Sequence, residues 1–322
     1  MLPRVVTWSP SVTLVPTQGC FNACDYCSFR RPLGQEPPLE LSEARAQLRQ
    51  RPEATEVLLL SGEVHPASAE REAWFARLCA LGVEALRQGR LPHTNAGPLS
   101  LREMARLGRL NPSLGLMFEG VGPAYDRQHR QAPSKRLEVR LEQLQQAGRL
   151  GIPFTTGLLL GLGESWEARR QALTLLAELQ GRWGHLQEVI LQPWRPDGSE
   201  AAPLSGSEQS ELLEVIALAR QVLPAEVHLQ TPPNLWPLEA LPDAVAAGID
   251  DLGGIDCTDV INPAYPQPTP WALQVLLESH DLQLQPRTCV HRRWWGGLPR
   301  HLRLAVEAVD QQLQLRWAVS GC

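Results

Sequence analysis

The chain has almost no lysine. Lys135 is the single one, and every other basic residue is arginine. Schiff-base catalysis would have only that candidate, in the polar run APSKRLEV. Long apolar runs are also missing. The stretch around GLLLGLG falls far short of the ~20 residues a membrane span needs. The N-terminus MLPRVVTWSPSVTL lacks the charged start and long apolar region of a signal peptide. A cytoplasmic protein with no membrane contact is expected. The net charge of −5 argues against nucleic-acid binding. There is no low-complexity tract, no long linker, and no G-x-G-x-x-G after an early strand.

At 322 residues and 43% hydrophobic composition, the chain can bury a core without disulfides. Its seven cysteines are therefore expected to be reduced, and a cluster of them reads as a metal site. Such a cluster exists. TLVPTQGCFNACDYCSFRRP places Cys20, Cys24 and Cys27 in one loop with C-x3-C-x2-C spacing, and Tyr26 stands just before the last. A fourth cysteine is absent, and Cys79, Cys257, Cys289 and Cys322 are scattered. Two chemistries remain open: zinc completed by a histidine or carboxylate, which lacks the usual second knuckle, or an iron–sulfur cluster with one iron free of protein.

Strand-like and helix-like segments alternate along the chain. The strands are VTLVP from Val12, EVLLLSGE, LPHTN, LGLMFEG, PFTTGLLLG, EVILQP, VHLQTP and GIDDLGG. Helices are expected from Ser42 to about Arg49, Ala67 to Leu81, over SLREMARLG, from Lys135 to Ala147, from Ser165 onward, from Ser207 to Leu223, around Leu238 to Ala247, and from about Trp271 to Glu278. The continuous apolarity of PFTTGLLLG predicts burial on both faces. Ser165 is read as an N-cap, and the helix after it is expected to bury Trp166, Leu173, Leu176 and Ala177 along one side. Eight strand–helix units predict an α/β fold with parallel strands, a (β/α)8 barrel. The open doubly wound sheet is the runner-up. One domain over 1–322 is expected, with a core of about 5–280. The extension beyond it, with HRRWWGGLP, should pack over one barrel end. Chemistry in such barrels sits at the C-terminal ends of the strands, where the cysteine loop would lie.

With these residues in place, C-x3-C-x-aromatic-C after a first barrel strand resembles the radical S-adenosylmethionine (SAM) superfamily. The resemblance implies a [4Fe-4S] cluster on Cys20, Cys24 and Cys27. SAM chelates its fourth iron and, after one-electron reduction, yields methionine and a 5'-deoxyadenosyl radical. The missing fourth cysteine is then the cofactor's place. Ser61-Gly62-Glu63 ends the second strand and is similar to the superfamily's G-G-E motif, which holds the methionine ammonium; Ser61 departs from it. Asn95 and Glu119 close the next two strands. Asn95 has an ordinary turn role as its alternative, whereas Glu119 would contact the SAM ribose or amino group. Arg140 flanks the buried stripe of its helix (Leu137, Leu141, Leu144) and would pair with the SAM carboxylate, a task suited to a guanidinium; Arg136 is the fallback. Tyr26 would flank the adenine.

The stretches IPFTTGLLLGLGES, HLQEVILQPW, QTPPNLW and AAGIDDLGGIDCTDVINPAYPQP are similar to the CofG subunit family of Fo synthases. That resemblance implies ring closure, with loss of ammonia, of a hydroxybenzyl–ribityliminouracil adduct. The adduct is made by a functional partner, CofH, and an external electron donor is needed. Thr155, Thr156, Gln192, Gln230, Asn234 and Asp250 are candidate substrate contacts, though TT is equally a β-branched strand pair and Asp250 a cap. Asp251, His129 and His291 are candidates for proton transfer; His65 and His185 read as surface or core residues. Rival readings are a sister radical SAM enzyme of the CofH or menaquinone-pathway type, a zinc-binding scaffold, and a barrel hydrolase.

Overall fold

A computed structural model describes residues 4–320. Its strands are β1 (Arg4–Leu14), β2 (Glu56–Leu60), β3 (Leu91–Asn95), β4 (Ser113–Gly115), β5 (Phe154–Leu160), β6 (Leu186–Pro193), β7 (His228–Gln230), β8 (Asp251–Ile255) and β9 (Leu282–Pro286). The helices are α1 (Leu41–Gln50), α2 (Arg71–Arg87), α3 (Leu101–Leu107), α4 (Pro123–Gln128), α5 (Leu137–Leu150), α6 (Trp166–Trp183), α7 (Gly206–Val222), α8 (Leu241–Ala247), α9 (Pro270–Glu278) and α10 (Arg300–Ser320). The first eight strands pair in parallel in chain order, and the β1–β2 pairing closes them into a barrel. The expected fold class is the one observed.

The closure depends on the length of β1. Its first half, Arg4–Trp8, pairs with β9, and its second half, Ser11–Leu14, pairs with β2. Pro10 lies at the changeover. A proline has no N–H for the ladder, and its carbonyl is used by Thr55 N–H at 2.9 Å. This explains a correction: the apolar reading begins β1 at Val12, beyond the proline, and misses the half that holds β9.

Helix ends follow local chemistry. Ser100 and Glu103 form a reciprocal capping box on α3. Ser165 caps α6 as expected, and Gly184 ends it in a left-handed conformation. All seven residues of β5 are buried. Leu173 and Leu176 are buried on α6, but Trp166, on its first turn, is 39% exposed and lies against Arg169. The short α4 and the long α10 were not legible. The first is six residues after a Gly-Pro turn, and the second follows HRRWWGGLP, which masks its start.

The segment after β9 packs over the N-terminal end of the barrel. Arg287 reaches in between the starts of β6 and β8, and the Cys289 carbonyl accepts hydrogen bonds from Ser113 at 3.0 Å and Gln187 at 3.1 Å. The C-terminal end therefore stays open for the loops that carry the site.

Candidate active site

A cavity of about 290 Å³ opens at the C-terminal ends of the strands, and all three loop cysteines line it. The loop is fixed by backbone bonds. Gly62 N–H donates to Thr17 at 2.7 Å, Phe21 N–H to Glu63 at 3.0 Å, Ala23 N–H to Gln131 at 2.8 Å, and Asp25 N–H to Gln128 at 3.1 Å. Gly62 is required by this approach: a Cβ there would run into the Gly19 carbonyl. Ser61, the departure from G-G-E, accepts from the Trp74 indole at 2.9 Å and donates to the Gly62 carbonyl at 2.8 Å. Its hydroxyl serves α2 packing.

Cys20, Cys24 and Cys27 are partly exposed and unpaired. Burial pushes the Cys24 thiol up to about 12, with nearby Lys135 opposing, and burial together with Glu63 pushes Cys20 up as well. A bound metal is what converts such thiols to thiolates.

Behind the loop lies a buried ionic network. Glu63 accepts from Arg140 at 2.8 Å, from Asn22 at 2.9 Å and from the Ser134 hydroxyl. Burial would raise its carboxyl, but Arg140, Lys135 and Ser134 outweigh that and hold it at about 2. Glu119 pairs with Lys135 and accepts from the Tyr26 hydroxyl at 3.0 Å. It adopts φ = +75°, a conformation rare for a non-glycine residue, so its carboxylate turns inward where β4 has already ended. Burial disfavours its charge, yet Lys135 and Arg140 hold it below the usual carboxylate range. His129 Nε2 stands 3.2 Å from the Tyr26 hydroxyl, and burial brings the imidazole down to about 4.

Arg140 is 1% exposed, and its Nε and Nη1 have no hydrogen-bond acceptor. Unmet guanidinium donors in a cavity wall suit a carboxylate ligand. Arg136, the fallback, is exposed at the head of α5. Three thiols on one loop, an acid for an ammonium and unmet donors for a carboxylate are a donor set that fits a cluster-bound α-amino acid.

The candidates divide between the two barrel ends. Tyr26, Ser61, Gly62, Glu63, Asn95, Glu119, Arg140 and Gln192 line the cavity, and Gln230 lines a recess beside it. His129 joins them through Tyr26. Other expectations are corrected. Asp251 and His291 lie at the opposite end, where Asp251 is ion-paired with Arg287 and His291 stacks on His228 at 3.7 Å. Thr155 donates to Glu188 at 3.0 Å at that same end. Thr156 spends its hydroxyl on the Leu116 carbonyl at 2.8 Å. Asp250 accepts from Leu229 N–H at 2.8 Å between β7 and β8, and caps no helix. Asn234 donates to Asp259 at 2.9 Å, behind the recess wall. Asp251 is the first residue of β8 and Asp250 directly precedes it, so both lie at the end of that strand away from the cavity.

Sequence reading also missed Asn22, Ser134 and Lys135. Asn22 sits between two cysteines, and Lys135, set aside as polar, is a largely buried ion-pair member. Its being the chain's single lysine, five residues before Arg140, was the available signal.

Residues 14–176 match the radical SAM superfamily. The chain belongs to that superfamily, and the barrel and cysteine loop are those of a radical SAM enzyme. It is 48% identical to the 7,8-didemethyl-8-hydroxy-5-deazariboflavin synthase of Synechococcus elongatus, over 94% of this chain and 92% of that one. It is 44% identical to the protein of the same name from Thermosynechococcus vestitus, over 95% and 98%. The chain therefore belongs to the deazariboflavin synthase family. Among solved structures it is similar in fold to the FeFe-hydrogenase maturase HydG from Carboxydothermus hydrogenoformans, with TM-score 0.69, 20% identity, and coverage of 90% and 70%. Methylornithine synthase (PylB) gives TM-score 0.62 at 14% identity, with coverage of 88% and 84%. No helix among the described residues is long and apolar enough to cross a membrane.

Proposed function

We propose that the chain catalyses the CofG-type half of deazaflavin formation. The hydroxybenzyl–ribityliminouracil adduct and SAM become the deazaflavin Fo, 5'-deoxyadenosine, methionine and ammonia. The supporting observation is one cavity holding Cys20, Cys24, Cys27, Glu63 and Arg140, in a chain similar to deazariboflavin synthases along almost all of its length. Cys20, Cys24 and Cys27 would hold a [4Fe-4S] cluster. When bound and reduced, the cluster supplies the electron that cleaves SAM.

The chain's own residues then position and shield. Glu63, held ionised, would take the methionine ammonium, and the free donors of Arg140 the carboxylate. Tyr26, Asn95 and Glu119 would line the adenosine. Leu58, Leu60, Leu116 and Leu159 keep the cavity apolar, which excludes water from a reactive radical. Of Asp251, His129 and His291, His129, close to Tyr26, is the proton-transfer candidate near this cavity. CofH would deliver the adduct and an external donor the electron, both in the cytoplasm.

The test is anaerobic turnover of reconstituted protein with reductant, SAM and CofH-generated adduct. Deazaflavin fluorescence together with 5'-deoxyadenosine is the expected result. Deoxyadenosine without Fo would move the substrate to a sister pathway. Neither product, from protein with a reducible cluster, would refute the reaction. Iron and sulfide content separates this reading from a zinc scaffold.

A further inference from the structure

Asn22 stands between the first two cysteines of the loop and is 1% exposed. Its partners fix which way the amide points. Oδ1 accepts from the Ser134 backbone N–H at 3.3 Å. Nδ2 therefore faces three acceptors: the Ser134 hydroxyl at 2.7 Å, Glu63 Oε2 at 2.9 Å and Cys20 Sγ at 3.8 Å. A primary amide carries two N–H groups, so three acceptors cannot all be satisfied. Ser134 turns its own proton to Glu63 Oε2 and accepts from Asn22. One N–H is left between a carboxylate and a cysteine sulfur.

The carboxylate, nearer and charged, takes that proton in this structure. Both oxygens of Glu63 are engaged, Oε1 by Arg140 at 2.8 Å and Oε2 by Asn22 and Ser134. A ligand ammonium that takes Oε2 competes with Asn22. The released N–H then has the Cys20 sulfur as its remaining acceptor. Among the described residues, no other side chain hydrogen-bonds to Cys20, Cys24 or Cys27. Backbone N–H groups of Glu63 and Asn22 already favour negative charge on that same sulfur.

Hydrogen bonds to ligand sulfurs help set the reduction potential of an iron–sulfur cluster. Such a bond stabilises the reduced form more, because that form carries the additional negative charge. We propose that Asn22 is a positioning residue that shares one amide proton between Glu63 and the Cys20 sulfur, so that an ammonium at Glu63 raises the reduction potential of a cluster on the loop. This rests on the cluster and the amino-acid site proposed above, and it adds a physical link between them. By linkage, reduction of the cluster tightens binding of the amino acid by the same factor. The electron then enters most readily once the ammonium is seated.

The probe is S-adenosylhomocysteine, which carries the α-amino acid but lacks the sulfonium that reductive cleavage needs. Reconstituted holoenzyme is titrated potentiometrically with and without it, and the reduced cluster is read by electron paramagnetic resonance (EPR). With the probe, the wild-type midpoint should lie above that of Asn22→Ala by about threefold or more in the one-electron equilibrium, about 28 mV. Without the probe the difference should be smaller. Asn22→Leu, nearly isosteric, should match the alanine variant and guards against a loop disturbed by the smaller side chain. An equal difference with and without the probe would overturn the coupling. Wild-type protein labelled with nitrogen-15 at its asparagine side chains gives a test free of variants. Its reduced cluster should show a nitrogen coupling in pulsed EPR that strengthens when the probe binds, and an unchanged coupling would overturn the proposal. Protein whose iron, sulfide and EPR signal show no reducible cluster would instead refute the cluster reading on which the link rests.

Discussion

Removing the guanidinium of Arg140 tests the ionic network most directly. The Arg140→Met variant keeps much of the side-chain volume but leaves Glu63 buried with Asn22, Ser134 and Lys135, the last at 3.9 Å. A carboxyl held at about 2 rather than the ordinary 4.5 contributes about 3 kcal/mol to folding at neutral pH. Breaking a buried pair from one side typically costs about 3–5 kcal/mol. The first figure is shared by Arg140, Lys135 and Ser134, so a loss of about 2–3 kcal/mol is expected in anaerobic urea unfolding of the apo-protein at pH 7. The sign with pH follows from the lowered folded-state value. The contribution is fully present above about pH 4.5 and is lost as the pH falls toward 2. The gap between wild type and variant should therefore narrow steadily below pH 4.5. Adding Glu63→Gln to Arg140→Met should recover part of the loss, because no lone buried charge remains. A loss under about 1 kcal/mol, or a gap constant from pH 7 to pH 3.5, would refute the network as described.

Three further outcomes are expected. Cys24→Ala should fold but fail to retain a reducible cluster and should lose reductive SAM cleavage, as read by iron content, electron paramagnetic resonance and 5'-deoxyadenosine; residual cleavage would show that Cys24 is not a ligand. Gly62→Ala should cost about 1–3 kcal/mol by overpacking against Gly19 and lower cluster retention on reconstitution, a loss that Ser61→Gly should not reproduce. Arg287→Met should destabilise by about 3–5 kcal/mol, because Asp251 is left buried without its guanidinium, while SAM affinity stays at the wild-type value; a changed SAM affinity would mean the two barrel ends are coupled.

Local patterns carried much of this protein in the sequence alone. Alternation of apolar strands and amphipathic segments specified the parallel barrel, because burial on two faces and on one face leave different periodicities. Three cysteines crowded after the first strand marked a candidate metal-binding loop, because ligand spacing within a loop is a local property. Glu119 was legible as a polar residue closing an apolar run and Arg140 as one flanking a buried stripe, while Glu63 was legible only through its resemblance to the superfamily's G-G-E motif. Tertiary structure decided the rest. Which end of the barrel a polar strand residue serves depends on its partners across the fold: Gln192 and Gln230 line the open end, whereas Asp251, which pairs in register with Gln230, is held by Arg287 at the other end. His291 and Arg287 come from a segment whose destination is set by β9 pairing with the first half of β1, across more than half of the barrel's chain length in sequence. Lys135 looked solvated because its neighbours are polar; only the fold brings it to Glu119 and Glu63, where two buried carboxylates need a cation. Charges that find each other across the fold leave no periodic trace, and that is why the network behind the cysteines had to be seen in three dimensions.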